Sequence, residues 1–390
     1  MRVLVINSGS SSLKFKLFSM QDQSVLCSGL MEKIGKDESS LKFSLKERTQ
    51  SKTLHIKDHE EALNVLFDLL FDSGVIVTLD ELGAVGHRVV HGGEFYTRAT
   101  LIDEDVLLKL ESLIPLAPLH NPANIAGIRA VTAHAKKLRQ VAVFDTAFHH
   151  SMPAKAYRYA LPRELYETDR IRRYGFHGTS HAYITKAAAG YLNKEVSDLN
   201  IISLHLGNGA SICAVSKGKS MDTSMGMTPL EGLVMGSRSG DIDPSIIVYL
   251  HRQKGYSIDK IDHLLNHESG LIGLCGENDM RTIIKKAKTD EDYRLALDVF
   301  VYRIQKYIGA YMAILGKVDA IVFTGGIGEH ASEVREMVCH GLEGLGIVID
   351  PDATDKVQIQ SVDSSVRICV IPTDEELEIA MQTKALLSVI

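Results

Sequence analysis

The chain has 390 residues, 45% of them hydrophobic and 24% charged, which suits a globular protein of roughly two to three domains. Its 43 basic and 49 acidic residues leave a net charge of −6, which argues against a nucleic-acid or anionic-membrane binder. No apolar run approaches the roughly 20 residues that span a bilayer, and Val3-Leu4-Val5-Ile6 is too short for a signal peptide. The five cysteines (27, 213, 275, 339 and 369) are scattered with no C-x-x-C pair, the usage of reduced thiols in a cytosolic protein.

In chain order, strands are expected at residues 2–7, 12–18, 24–30 and 41–46, an amphipathic helix at 58–72, a strand at 82–90 and a helix at 103–113. Pro115, Pro118 and Pro122 mark a loop around His120 and Asn121. A helix at 123–137 leads to a buried strand, Gln140–Phe144, ending at Asp145. Residues 157–178 are polar and aromatic without period, the pattern of a functional loop. A helix at 180–191 precedes a hairpin at 200–216 and a glycine- and methionine-rich loop at 224–240. Helices follow at 244–254, 258–267 and 290–315, then a buried strand at 318–323, a helix at 331–343 and strands at 346–350 and 366–371. Thr373 is expected to cap the final helix, with acids at 374–376 in its first turn. The alternation predicts α/β layers.

One device occurs twice. An apolar run breaks into Asn7-Ser8-Gly9-Ser10-Ser11-Ser12 and resumes at Leu13; another ends at His205-Leu206, breaks into Gly207-Asn208-Gly209-Ala210-Ser211 and resumes at Ile212. Each reads as strand, tight turn, strand. Glycine lets an anion approach backbone N–H groups, and Ser and Asn add hydrogen bonds. One such hairpin is as readily a plain turn; two predict a duplicated unit that holds phosphates. The Walker pattern is absent, since Cys213 stands where Gly218-Lys219-Ser220 would need its first glycine. Gly326-x-Gly328-x-x-Ala331 imitates a dinucleotide fingerprint, with Asp350 at the end of the next expected strand. A dehydrogenase reading on that match leaves both hairpins unexplained.

Arg88 lies at a strand end beside Gly92 and Gly93, and Arg238 between Gly236 and Gly240. A planar guanidinium among uncharged loop residues suits a carboxylate or phosphate, where a surface ion pair is the plainer alternative. Of the 16 histidines, His120, His177 and His205 sit in loop settings, and no H-E-x-x-H metal spacing occurs. Asp145 is placed equally for a helix cap or for catalysis.

Together these segments resemble the acetate kinase family, within the acetate and sugar kinase, chaperone ATPase and actin superfamily. The resemblance covers essentially the whole chain. Its motifs are Asn7–Lys14, Gly86–Glu94, Phe144–His149, Tyr174–His181, His205–Gly209, Met235–Asp241, Phe323–Glu329 and Thr373–Glu376. It implies two duplicated ribonuclease-H-like (actin-like ATPase) domains with a central cleft: residues 1–149 with 377–390, and residues 150–376. It implies reversible transfer from ATP to acetate, giving acetyl phosphate and ADP, with Mg²⁺ or Mn²⁺, in a cytoplasmic homodimer.

By motif, Asn7 and Glu375 would hold the metal, and Ser10, Ser12 and Lys14 would approach phosphates. Arg88 and Arg238 would bind the carboxylate and the transferring phosphoryl, His177 would stabilise the transition state, and Asp145 would act as base or position a metal-bound water. Val90, Leu119, Phe176 and Pro229 would enclose the acetate methyl, with His120 in the same site. His205, Leu206, Gly207, Asn208 and Gly209 would meet the β/γ phosphates. Asp279, Met280 and Arg281 with Gly326, Ile327, Gly328, Glu329 and His330 would hold the adenosine end. His330, Asp374 and Ser237 depart from the family's common Asn, Asn and Thr. A propionate kinase, or an actin-like ATPase module with no metabolite acceptor, are the alternatives; the Arg88, His177 and Arg238 set argues against the module.

Overall fold

The computed structural model describes residues 1–118, 120–353 and 356–389. The chain folds into two compact units, Met1–Phe148 with Asp374–Ile390, and His149–Thr373.

The first unit is built on one sheet of β1 (Arg2–Ser8), β2 (Ser12–Ser19), β3 (Ser24–Glu32), β4 (Ser39–Leu45), β5 (Arg48–Leu54), β6 (Leu82–Val89), β7 (Thr100–Leu101) and β8 (Gln140–Phe144), in the order β5-β4-β3-β2-β1-β6-β8-β7. Strands β1, β2 and β3 run antiparallel, whereas β1, β6 and β8 are parallel. Parallel strands covered on both faces read as unbroken apolar runs, and β8 is buried throughout. The period of two sorts β1 between two cores. Leu4 and Ile6 join Leu63, Leu66 and Val131 of the helices His59–Asp72 and Asn121–His134, while Val3 and Val5 meet Ile379 and Ala380 of the C-terminal helix Glu375–Leu387.

The second unit has β9 (Asn200–Leu206), β10 (Ala210–Ser216), β11 (Lys219–Thr223), β12 (Ala320–Thr324) and β13 (Arg367–Val370), in the order β11-β10-β9-β12-β13. Again the first three are antiparallel and β9, β12 and β13 parallel. This repeats β3-β2-β1-β6-β8 strand for strand, so each unit carries a ribonuclease-H-like sheet. Although β12, which leads into the Gly326 turn, lies between two parallel neighbours, the five-stranded sheet with its antiparallel β10 and β11 is not the six-stranded, mostly parallel sheet of the dinucleotide fold that the Gly326 motif imitates.

Several elements differ from expectation. Strand β5 is polar and almost wholly exposed, so it has no apolar alternation to read. The glycine turn after β12 is a short helix, Gly325–His330, and residues 346–350 form a single bridge, Ile349 to Gln360, rather than a strand. Asp374, not Thr373, caps the last helix, accepting the Leu377 N–H at 3.0 Å.

Candidate active site

In open α/β sheets ligands gather at the carboxyl ends of the parallel strands. In the first unit those ends deliver Asn7 and Ser8 from β1, Arg88 from β6, and Asp145 directly after β8. The β1–β2 turn closes with the Gly9 N–H donating to the Ser12 carbonyl at 2.8 Å. Ser10 is exposed at its tip, Ser12 is half-buried, and Asn7 stands opposite Lys14 in the ladder.

Arg88 Nη2 and Nε donate to Asp145 Oδ2 at 2.5 and 3.0 Å, and Nη1 reaches Asn7 Oδ1 at 3.5 Å. Asp145 is 1% exposed. Burial opposes the charge on Arg88, but Asp145 and then Glu375 outweigh it and hold the guanidinium above its ordinary range. Glu375 opens the C-terminal helix. Its neighbours are committed elsewhere: Lys14 pairs with Glu376 at 2.5 Å, and Lys16 with Asp374 at 2.9 Å and Glu376 at 3.1 Å. Burial raises the Glu376 carboxyl, and the two lysines outweigh this and keep it below its usual range. Lys14, expected on phosphates, is thus held by a carboxylate that the sequence reading gave no role.

Val90, just past β6, is buried, and its N–H donates to Asn124 Oδ1 at 3.0 Å. Asn124 Nδ2 donates in turn to the Ser8 carbonyl at 2.8 Å. One buried helical asparagine, not anticipated from sequence, therefore ties the exit of β6 to the end of β1. His120 precedes the helix that carries it, and Leu119 lies outside the described residues.

In the second unit His177 takes a left-handed backbone, φ 55°, at the start of the helix Gly178–Leu192. Its ring stacks on His205 with centroids 4.2 Å apart, and its Nδ1 hydrogen-bonds Ser211 Oγ at 2.9 Å. Phe176, beside it, is buried. A Cβ built on Gly209 would lie 3.6 Å from His177 Nε2 and 3.8 Å from Arg238 Nη1. The Nε2 edge of the imidazole and the guanidinium therefore flank the same glycine of the β9–β10 turn, whose Gly207 N–H closes on the Gly209 carbonyl at 3.1 Å.

The Arg238 loop has no regular structure and is pinned by backbone bonds. Leu271 and Ile272 N–H groups donate to the carbonyls of Met235 and Gly236 at 2.9 and 3.0 Å, and Ser269 N–H to that of Ser237 at 3.0 Å. Gly270, at φ +63°, lies so close that a Cβ would fall 2.2 Å from the Met235 carbonyl oxygen and 2.6 Å from that of Arg238. Arg238 itself donates to the Pro229 carbonyl at 3.3 Å. Among the described residues no carboxylate pairs with it, and burial alone holds its guanidinium below the ordinary range.

Asn208, Asp279, Met280, Arg281, Gly326, Ile327 and His330 line one cavity of about 670 Å³, joined by Asn278, Ile284 and Glu333, which the sequence reading did not single out. Gly328 and Glu329 do not line it. Glu329 Oε1 instead accepts the N–H groups of Gly325 at 2.9 Å and Thr373 at 3.2 Å, which stitches the turn after β12 to the chain after β13. A cavity of about 690 Å³ beside Tyr302, Met337 and Ile349 holds none of the expected site residues; it lies away from the strand ends and the glycine turns, so we assign no nucleotide to it.

Charge for oxyanions at the strand ends of a duplicated ribonuclease-H-like sheet defines the class: a phosphotransferase with the actin-like ATPase fold. Known proteins narrow it. The chain matches the acetokinase family over residues 2–381. It is 55% identical to an acetate kinase of a Sulfurovum species, covering 100% of this chain and 99% of that one. The crystal structure of Porphyromonas gingivalis acetate kinase superposes with a TM-score of 0.94 at 43% identity, over 99% of each chain. A propionate kinase from Francisella tularensis gives 0.94 at 45% identity, over 98% of each. This chain belongs to the acetokinase family.

Proposed function

We propose that the chain transfers the γ-phosphoryl of ATP reversibly and directly to acetate, giving acetyl phosphate and ADP. The observation that carries the proposal is Arg238: a largely buried guanidinium with no carboxylate partner among the described residues, flanking Gly209 together with His177 Nε2. Such an arginine is a charge waiting for an anion. In-line phosphoryl transfer needs positioning and positive charge at the equatorial oxygens more than covalent help. Arg238 supplies that charge in the second unit, with His177 Nε2 beside it to hydrogen-bond a phosphoryl oxygen; Arg88, paired with Asp145, binds the acceptor carboxylate in the first. Acetate is already a nucleophile, so Asp145 is not needed as a strong base, and its two bonds to Arg88 favour an orienting role.

Asn7, Asp145 and Glu375 offer oxygen donors around Arg88, a set that suits a hard cation sharing its shell with phosphate oxygens and water. A bound Mg²⁺ would neutralise phosphate charge and orient the γ-phosphoryl. Ser10, Ser12, His205, Leu206, Gly207, Asn208 and Gly209 would approach the phosphates, and the cavity beside Asp279–Arg281 the adenosine. On this reading Val90 in the first unit and Phe176 and Pro229 in the second would be the residues for the acyl methyl, with His120 assigned to the same substrate. Propionate is the second reading, favoured by the propionate kinase neighbour. One methylene is worth only about 1–3 kcal/mol, so discrimination rests on the small room left by Val90.

On this reading the unit Met1–Phe148 with the C-terminal helix serves acceptor and metal, and His149–Thr373 serves the nucleotide. Cytoplasmic location agrees with five free thiols; among the described residues no helix is long and apolar enough to cross a membrane. A homodimer would cover the helix Ser245–Lys254, which buries none of its residues and exposes Ile246, Val248 and Tyr249. The test is a hydroxamate assay with ATP, Mg²⁺ and acetate or propionate. Acyl phosphate from acetate above that from propionate supports the reading; ATP hydrolysis with no acyl phosphate from either acid overturns it.

A further inference from the structure

Behind His177 runs a buried chain of hydrogen bonds that the reaction as described does not use. His177 Nδ1 meets Ser211 Oγ at 2.9 Å, Ser211 Oγ meets His181 Nε2 at 2.8 Å, and His181 Nδ1 meets Ser203 Oγ at 2.9 Å. His181, Ser203 and Ser211 are all wholly buried. The geometry points to His181, Ser211 and Ser203 as positioning residues that fix the single ring proton of neutral His177 on Nε2, the nitrogen beside Gly209 and Arg238. This rests on the role given to His177 in phosphoryl transfer.

The direction of the chain follows from counting hydrogens. Burial, with His149 and His205 nearby, holds His181 well below its ordinary range, so it is neutral and carries one N–H. Ser203 has a single hydroxyl hydrogen, and among the described residues its only hydroxyl partner is His181 Nδ1. When Ser203 donates to His181 Nδ1, the His181 proton sits on Nε2 and is donated to Ser211. Ser211 then gives its own hydrogen to His177 Nδ1, and the His177 proton is left on Nε2. Every hydrogen from Ser203 to Ser211 then has an acceptor. In the reverse direction His181 Nδ1–H donates to Ser203, whose hydrogen is stranded in a dry strand with no acceptor, the costly form of an unmade bond. The serine at the far end thus selects the tautomer at the near end. A phosphoryl oxygen arriving at Nε2 meets a donor rather than a lone pair. His181 lies in the first turn of the helix that His177 precedes as its N-cap, and Ser211 lies opposite His205 in the β9–β10 ladder, so helix and hairpin together set the spacing.

Long-range proton–nitrogen correlation spectra of the ¹⁵N-histidine-labelled full chain test this, with the His177 signals assigned by their loss in His177→Gln. Wild-type protein at neutral pH is expected to show Nε2 protonated and Nδ1 bare. Protonated Nδ1, or a mixture of tautomers, overturns the proposal whatever any variant does. Ser211→Ala, checked for folding by its melting curve, is expected to give mixed His177 tautomers. It is also expected to lower kcat by roughly tenfold or more with KM values within about twofold, since a wrong tautomer spoils chemistry rather than binding. An unchanged tautomer in a folded Ser211→Ala protein would refute it. Absence of acyl phosphate from wild-type protein would instead strike the phosphotransfer reading and leave the tautomer measurement standing.

Discussion

The two arginines differ in how the fold holds them, and that difference predicts opposite balances of activity and stability when each is cut to alanine. Arg238 is largely buried, has carbonyl partners but no carboxylate among the described residues, and is charged against the preference of its surroundings. Removing it strands no carboxylate and relieves a desolvated charge, so Arg238→Ala is expected to change the unfolding free energy by less than about 1 kcal/mol. On the proposed function, in which Arg238 meets the transferring phosphoryl, its loss should cost roughly 10³ in kcat, about 4 kcal/mol of transition-state stabilisation.

Arg88 shares two bonds with Asp145, which is 1% exposed. Arg88→Ala leaves that carboxylate buried and unpaired by its guanidinium, a loss of about 3–5 kcal/mol of stability on top of lost activity. Chemical denaturation beside the hydroxamate assay separates the two cases. The reasoning fails if Arg238→Ala keeps activity within tenfold of wild type, or if it unfolds as easily as Arg88→Ala.

Three further outcomes are expected. His87 is wholly enclosed, with its Nε2 on Gln140 Oε1 at 2.7 Å, and burial pushes its pKa down to about 4 from an ordinary 6.5. The unfolded chain therefore takes up a proton that the folded one refuses, so stability is complete above about pH 6.5 and is lost as pH falls toward 4, by up to about 3 kcal/mol. Denaturant titrations of wild type and His87→Gln between pH 7 and 4.5 should show a flatter profile for the variant; parallel profiles would contradict this. Gly270→Ala places a Cβ 2.2 Å from the Met235 carbonyl oxygen at a positive φ; it should cost roughly 1–3 kcal/mol and lower kcat by displacing Arg238, and a variant of wild-type stability and rate would count against the loop anchoring. Asp374→Ala removes both a cap and a Lys16 partner and should lower stability by about 1–2 kcal/mol; a melting curve like wild type would show that Glu376 alone holds Lys16.

What was legible followed from periodicity. The runs Val3–Ile6 and Ile201–Leu206 announce buried strands, and the glycines after them announce the turns. Strand β5 was hidden because an edge strand exposed on both faces carries no alternation. The cap was misplaced by one residue because Thr373 and Asp374 are both good caps, and only the backbone decides which carboxylate or hydroxyl reaches the Leu377 N–H. Lys14 looked free for phosphate because Glu376, its partner, lies 362 positions along the chain. His181 and Ser203 were invisible as functional groups for the same reason: a buried histidine on a helix reads as packing until the strand bearing its serine is in place.

The duplication explains how one scaffold supplies two chemistries. In the β1–β2 hairpin the second pair back from the turn is Asn7 opposite Lys14; in the β9–β10 hairpin the same pair is His205 opposite Ser211. The backbone lattice is shared, so each position aims its side chain at the same strand-end edge of its own sheet. In the first unit the pair became an amide and an ammonium, surrounded by Asp145, Glu375 and Glu376, an environment of oxygen donors that suits a cation and keeps Arg88 charged. In the second it became an imidazole and a hydroxyl, surrounded by His177 and His181, with no carboxylate on Arg238 among the described residues. On the proposed function, carboxylates on Arg238 would neutralise the charge it offers a phosphoryl, and imidazoles in place of Asn7, Asp145 and Glu375 would leave a hard metal ion no oxygen to hold. At these two places, then, carboxylates gather on Arg88 and imidazoles lie near Arg238, so that one arginine is fixed by its counter-charge while the other has no carboxylate on it among the described residues.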